Sequence, residues 1–434
     1  MPQAPTNQLK RTIGVFGLAC AVINIMIGSG IFVLPALVAE HLGAAAIICY
    51  GICGGLIFLI ALCFIEIGTK ITGDGGTYAY IEAAFGPFAG FLASNILIFG
   101  SALLSDAAVA NGLLQIISPF IPFAAAWFFK PIFFLFLFGV LAWINIRGTK
   151  EGLMVVITTT IAKLLPLLLI VVFGIGHIVS SNLAFTNNIT LHEIGNTSLI
   201  LFFAFCGIET AVANSGEIIN PKKTMPISIL LGMLMVLLVY LGVQLVTQGI
   251  LGNQLNLYKD APINELGNRL FGPIGISIII GGMIIAMTGT LSGEIFAFPR
   301  LFFAGARKGI YPAFLGKVDP RFVTPKNAII LYASLGFLLS MMGEMKQLVI
   351  LASASTLLIY LGVVLATIKL RFSTTATSAE AFKIPGGLTI PILATAVIIW
   401  MLSNLSKDEM IGMVISLLVL TVIYWGMKKW RMSN

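Results

Sequence analysis

The 434-residue chain is 58% hydrophobic and only 10% charged, with a mean hydropathy of +1.03. Soluble domains carry about 25% charged residues, so the composition excludes a water-soluble globular protein and points to a polytopic membrane protein. The formal charge of +8 does not signal nucleic acid, because the positive residues gather in short loops on one side of the apolar segments.

Met1 to Gln8 is polar, and Lys10-Arg11 runs straight into a full-length apolar stretch without a small-residue cleavage site, so no cleavable signal peptide is expected. The first stretch, 12–38, is long enough to cross a hydrocarbon core of about 30 Å as a helix. It carries Gly28-Ser29-Gly30 at its middle. Each Gly costs roughly 1 kcal/mol against Ala inside a helix, and opened backbone in a bilayer is tolerated only where it is buried in protein or lines a cavity. The expectation is a helix that breaks at mid-membrane and offers its backbone to a ligand; close packing through small residues is the alternative.

Eleven further apolar stretches follow, at 43–68, 86–115, 127–146, 151–179, 194–215, 224–250, 272–306, 326–343, 346–370, 386–404 and 409–427. The sixth contains Phe203-Ala204-Phe205-Cys206-Gly207-Ile208-Glu209, again a Gly beside polar groups at mid-span. Two interrupted helices five spans apart predict an inverted repeat. The organisation expected is a cytoplasmic tail 1–11, spans 1–5 over 12–180, spans 6–10 over 194–370, spans 11 and 12 over 386–427, and a cytoplasmic tail 428–434. With the N-terminus inside, nineteen of the 25 Lys and Arg fall on the inner side and five on the outer, and Lys163 lies within a span. That bias follows the positive-inside rule and predicts cytoplasmic termini.

Cys20, Cys49, Cys53, Cys63 and Cys206 all lie in apolar segments without metal-ligand spacing, and read as small core residues. His41, His177 and His192 fall in outer loop regions. No phosphate loop, zinc motif or nucleophile–base pair appears, so no enzyme, metal or cofactor is expected. Four ionisable residues stand deep in spans: Asp106, Lys163, Glu209 and Glu294. A charge at the bilayer centre costs at least ~2.5–3.5 kcal/mol, so each asks for a role. Glu66 and Glu217 lie near inner ends, where pairing with loop basics is the simpler expectation.

Ile27-Gly28-Ser29-Gly30-Ile31-Phe32 with Pro35 resembles the first-helix signature of the amino acid–polyamine–organocation (APC) superfamily. Glu66, Gly75-Gly76-Thr77-Tyr78-Ala79-Tyr80 and Phe85-Gly86-Pro87 resemble that family's segment after span 2. Phe203 to Glu209 with Gly216-Glu217 and Asn220-Pro221, and Pro299-Arg300 with Arg307-Lys308-Gly309-Ile310-Tyr311-Pro312, are similar to its span 6 and span 8 exits. The ordered motifs resemble those of bacterial amino acid permeases and arginine–agmatine or polyamine exchangers. The resemblance implies an all-α integral membrane protein of twelve transmembrane helices, a LeuT-like 5+5 inverted repeat with helices 1 and 6 broken, plus helices 11 and 12.

A helix N-terminus at the first break suits a carboxylate, and carbonyls free near Met26-Ile27 suit an ammonium, so an α-amino acid is the natural ligand. The expected substrate-binding residues are Ile27, Gly28, Ser29, Gly30, Asp106, Phe203, Gly207, Glu209 and Glu294, with Phe203 stacking on substrate as a gate. The resemblance implies that Lys163 replaces a sodium ion of sodium-coupled relatives and braces span 1 against spans 5 and 8, and that Lys163 and Glu209 take part in proton coupling. Asp106 and Glu294 stand where arginine–agmatine exchangers have an amide and an aromatic. Three acids around one cavity suit a cationic amino acid or amine; in the alternative the substrate is neutral and the acids serve proton coupling. The expected function is secondary active transport of amino acids in the cell inner membrane by alternating access, as proton symport or antiport, by a monomer or homodimer. Its partners would be a small-molecule substrate, protons and the lipid bilayer, with no nucleic acid. A sensor with a transporter fold, an integral-membrane enzyme and a channel are the rival classes.

Overall fold

The computed structural model describes residues 11–71, 75–184, 190–258, 261–342, 345–372 and 382–433. The tail residues 1–10, Asn434 and most of the loop after Phe372 therefore lie outside the described residues. Within them the chain is helical, apart from an isolated parallel bridge between Ile13 and Ile218. In chain order the helices are α1 (Val15–Met26), α2 (Gly30–Leu42), α3 (Ala46–Lys70), α4 (Gly76–Phe85), α5 (Pro87–Asn95), α6 (Leu103–Ile117), α7 (Phe129–Arg147), α8 (Thr149–Gly174) and α9 (Leu191–Phe202). They continue as α10 (Ile208–Ala213), α11 (Pro221–Leu251), α12 (Pro262–Phe271), α13 (Pro273–Ala297), α14 (Pro299–Arg307), α15 (Lys326–Met342), α16 (Met345–Phe372), α17 (Thr389–Leu402) and α18 (Lys407–Ser433).

Eight helices among the described residues are long and apolar enough to cross a membrane, or nine when α1 and α2 count as one bent span. Helices α15 and α17 are apolar but short, at 17 and 14 residues. At 1.5 Å per residue they reach about 26 and 21 Å, less than a flat crossing of about 30 Å needs. Helices α9 and α10 are short because the sixth apolar stretch is interrupted. A helix stands in each of the twelve stretches read from the sequence, but length and composition support eight or nine spans, not the full twelve.

Three elements depart from the plain span reading. A π-helical turn, Ile96–Ala102, joins α5 to α6; such bulges shift the register of the side chains that follow. Helices α4 and α12 lie between spans. Gly76 opens α4 with φ +46°, and a Cβ there would meet the Val212 carbonyl oxygen at 2.4 Å. The Gly75-Gly76 pair thus lets α4 press directly on the backbone of α10.

The inside of the bundle holds α1, α10 and the middle of α13, wrapped by α3, α6, α8, α11 and α16. Outward faces stay apolar, with Leu135, Phe136, Val172 and Leu238 all more than half exposed, as lipid-facing surfaces require. Close approach of α1 to α13 depends on small residues. A Cβ on Gly289 would sit 2.8 Å from Asn24 Oδ1, and one on Gly293 would sit 2.9 Å from Asn24 Nδ2.

Candidate functional site

The first helix breaks where the glycines predict. Helix α1 ends at Met26, Ile27 leaves helical geometry (φ −84°, ψ 80°), and α2 restarts at Gly30, bent by 49°. The first amides of α2 have no intrahelical acceptor, and they open beside a cavity whose wall includes Gly28, Ser29 and Gly30.

The second break meets the first. Helix α9 ends at Phe202, a 3-10 turn covers Phe203–Phe205, and Gly207 adopts φ +133° before α10 begins. That angle suits glycine alone. A Cβ on Gly207 would lie 2.9 Å from Ile25 Cγ2 and 3.2 Å from Met26 Cγ, so the two interruptions touch through this residue. The Tyr240 hydroxyl from α11 spans them, 2.6 Å from the Met26 carbonyl oxygen and 2.9 Å from that of Ala204. Glu209, in the first turn of α10, accepts the Gly207 N–H at 3.2 Å and the hydroxyl proton of Tyr360 from α16.

Lys163 is wholly enclosed on α8. Its ammonium donates to Asn24 O at 2.7 Å, Ile27 O at 2.8 Å and Ala286 O at 3.1 Å. Three donors meet three carbonyls, which uses the full capacity of the group. The lysine thereby ties α1, α8 and α13 together at the break, in the geometry expected of a brace. Asn24 adds a second tie, donating to the Gly289 carbonyl at 2.5 Å, and Thr290 donates to Asn24 O at 3.2 Å.

Two carbonyls at the end of α1 are already engaged, which narrows what is left for an incoming ammonium. Met26 O is met by Tyr240 and by the Gly28 N–H at 3.1 Å, and Ile27 O accepts from Lys163. Ile27 accordingly belongs to the packed interior and not to the cavity wall. Partners arriving from α8 and α11 are separated from α1 by more than a hundred residues, so no local pattern shows them.

The cavity is lined by Gly28, Ser29, Gly30, Gly207, Glu209 and Glu294 of the sequence-predicted set. Asp106 is not part of that wall. It lies behind it, fully buried on α6, against the Glu294 carboxyl and the Tyr332 hydroxyl. The side chain of Phe203 lies outside what the structure describes. The remaining wall joins small residues, including Ser101, Ser105, Thr290, Thr356, Ala204 and Ala352, with the larger apolar residues Ile25, Met26, Val109 and Phe298. Cys206, read from the sequence as core, also reaches this wall. Ser101 and Ser105, like Thr290 and Glu294, are four apart and so share a helix face; that spacing was the available signal for them. Ser105 donates to Glu294 Oε1 at 3.3 Å.

Glu217 and Glu66 pair as their positions suggested. Arg300 grips Glu217 with two donors at 3.1 and 3.4 Å, and Thr149 donates to the same carboxylate at 2.8 Å. The Glu217 carbonyl accepts the N–H groups of Thr12 and Ile13 at 2.8 and 3.0 Å. Glu66 is held by Arg371 and by Lys70 at 2.9 Å.

A model described as amino acid permease matches residues 13–427. The chain belongs to the amino acid permease family. The permease is 31% identical to the serine/threonine exchanger SteT of Bacillus subtilis, over 98% of its own length and 99% of that protein's. It is 27% identical to the methylthioribose transporter of the same bacterium, over 98% of this chain and 94% of the relative. With the Asc-type amino acid transporter 1 of Mus musculus it shares 28% identity over 84% of this chain and 71% of the relative. The APC resemblance read from the four ordered motifs therefore holds, and the family and these relatives are transporters and not enzymes.

Proposed function

We propose that the permease is a secondary active transporter that carries an amino acid through the membrane by alternating access. The observation that carries this reading is the meeting of two helix breaks at one cavity. Freed amides at the start of α2 suit a carboxylate, and discontinuous helices near mid-membrane are how many transporters build their substrate sites. The proposed frame is twelve spans, with α1 to α8 and α9 to α16 as two inverted halves, in an inner membrane with both termini cytoplasmic. The lysine and arginine bias of the loops supports that orientation.

Within the amino acid class, the serines, threonines and alanines of the wall, beside the apolar Ile25, Met26, Val109 and Phe298, favour a small neutral side chain. The names of two relatives, a serine/threonine exchanger and an Asc-type amino acid transporter, point the same way. A cationic substrate is the second reading, favoured by Glu209 and Glu294 both lining the cavity. Lys163 is spent on carbonyls and cannot neutralise either.

The test is uptake into proteoliposomes of radiolabelled serine, threonine and alanine against arginine, lysine and putrescine, with and without internal substrate. Saturable uptake of serine, accelerated by internal serine, is expected. Absence of saturable flux for every amino acid and amine refutes the transporter reading. Stronger inhibition of uptake by arginine or putrescine than by threonine replaces the neutral substrate with a cationic one.

A further inference from the structure

A pair of acids runs from the cavity wall into the packed interior behind it. The carboxyls of Asp106 on α6 and Glu294 on α13 sit against each other, at 0% and 4% exposure. The hydroxyl of Tyr332 on α15, itself fully buried, points at Asp106. Neither Asp106 oxygen, nor Glu294 Oε2, nor the Tyr332 hydroxyl completes a hydrogen bond of good geometry within the protein. The other titratable groups facing the pair are Glu209 from α10 and Cys206 beside the second break, and from α16 Tyr360 is turned to Glu209. Among the described residues no lysine, arginine or histidine faces these acids. Lys163 bonds Ala286, eight residues before Glu294 on α13, which puts it about 12 Å away along the helix axis.

Two adjacent buried carboxylates with no protein cation facing them repel each other strongly. Their oxygens, with the Tyr332 phenol beside Asp106, are arranged to share one small cation. We propose that Asp106 and Glu294 form a proton site, in which a single proton is held between the two carboxyls with Tyr332 as a third partner. This rests on the transporter reading given above and assigns its coupling ion to residues other than Lys163 and Glu209. On loading, one O–H bond forms on one carboxyl and donates to the other, and the pair goes from two negative charges to one. On release that bond breaks and the proton leaves to water. Glu294 belongs to both the pair and the cavity wall, so the charge change is felt where the amino acid sits, while Asp106 touches only the proton.

The experiment uses the full chain in proteoliposomes, with the membrane potential clamped at zero and radiolabelled serine outside. The readout is the ratio of uptake with an acid exterior to uptake at equal pH. In the wild type a gradient of one pH unit should raise accumulation by up to about tenfold if one proton accompanies one substrate. In Asp106→Asn the ratio should fall to one, and in Tyr332→Phe the external pH for half-maximal stimulation should shift. A wild-type ratio of one, stimulation by a sodium gradient in place of the proton gradient, or an undiminished ratio in Asp106→Asn each overturns the proposal. Exchange of serine at equal pH separates the two readings. Loss of all flux in the wild type counts against transport itself, whereas exchange with a ratio of one counts against the proton site. If Asp106→Asn fails to fold, infrared spectra of the wild type decide. A protonated-carboxyl band that shifts in heavy water and disappears in Glu294→Gln is expected, and its absence from the wild type overturns the proposal.

Discussion

Replacing Gly207 by alanine tests whether the two helix breaks depend on each other. The residue holds φ +133°, and the new methyl would arrive 2.9 Å from Ile25 Cγ2, 3.2 Å from Met26 Cγ and 3.3 Å from Ile25 Cβ. Backbone strain of this kind costs about 1–3 kcal/mol, and forcing a methyl into a filled interior costs about 1–3 kcal/mol more. The sum, roughly 2–6 kcal/mol, is a large fraction of the about 5–15 kcal/mol by which folded proteins are stable. Relief can come only by moving the last turn of α1 or closing the second break, and either deforms the cavity. The control is Gly51→Ala on α3, where a Cβ meets nothing within 4 Å; it should be neutral or stabilising by about 0.4–1 kcal/mol. Thermal unfolding followed by size-exclusion chromatography in detergent, together with serine uptake, reads both effects. Gly207→Ala should lose several degrees of melting temperature and most of its transport, with Gly51→Ala close to wild type. A Gly207→Ala protein as stable and active as the Gly51→Ala control would refute the contact between the two breaks.

Lys163→Met should cost about 1–3 kcal/mol. The Thr290 hydroxyl, with its one proton, can still serve Asn24 O at 3.2 Å or Ala286 O at 3.0 Å but not both, and Ile27 O loses its sole side-chain partner; a melting-temperature loss like that of a broken buried ion pair would contradict this count. Arg300→Met strands the buried Glu217 carboxylate and should cost about 3–5 kcal/mol, while Arg300→Met combined with Glu217→Gln should recover part of it in the same melting assay. Tyr240→Phe removes the hydroxyl that joins Met26 O to Ala204 O. It should lower stability by about 0.5–1.5 kcal/mol and slow serine uptake, and an unchanged uptake rate would mean that the bridge is not needed for transport.

The class of the protein and the sites of its two breaks were legible in the chain alone. Hydropathy reports a membrane interior because lipid leaves no other place for so much apolar surface. Gly28-Ser29-Gly30 and Gly207 report breaks because each joins glycine to polar groups at the middle of an apolar run, where both weaken a continuous helix. The pairing of Glu66 and Glu217 with basic residues followed from their place near the inner ends of spans, within reach of the basic residues gathered there. The twelve stretches were legible as apolar runs, but not how far each helix reaches, because an apolar run continues past the point where its helix ends, as the stretch 386–404 does at Leu402 of α17.

What occupies each freed backbone group was decided only by tertiary structure. Residues far along the chain, Lys163 and Tyr240, bond the carbonyls of Ile27 and Met26 at the end of α1. Asp106 and Glu294 look alike in sequence as acids inside apolar spans, yet one lies behind the cavity wall and the other in it. Composition and local spacing fix which groups must find a partner, because burial of an unpaired polar group is costly in any fold. Which partner each group finds depends on how the helices cross, and that is a property of the packed bundle.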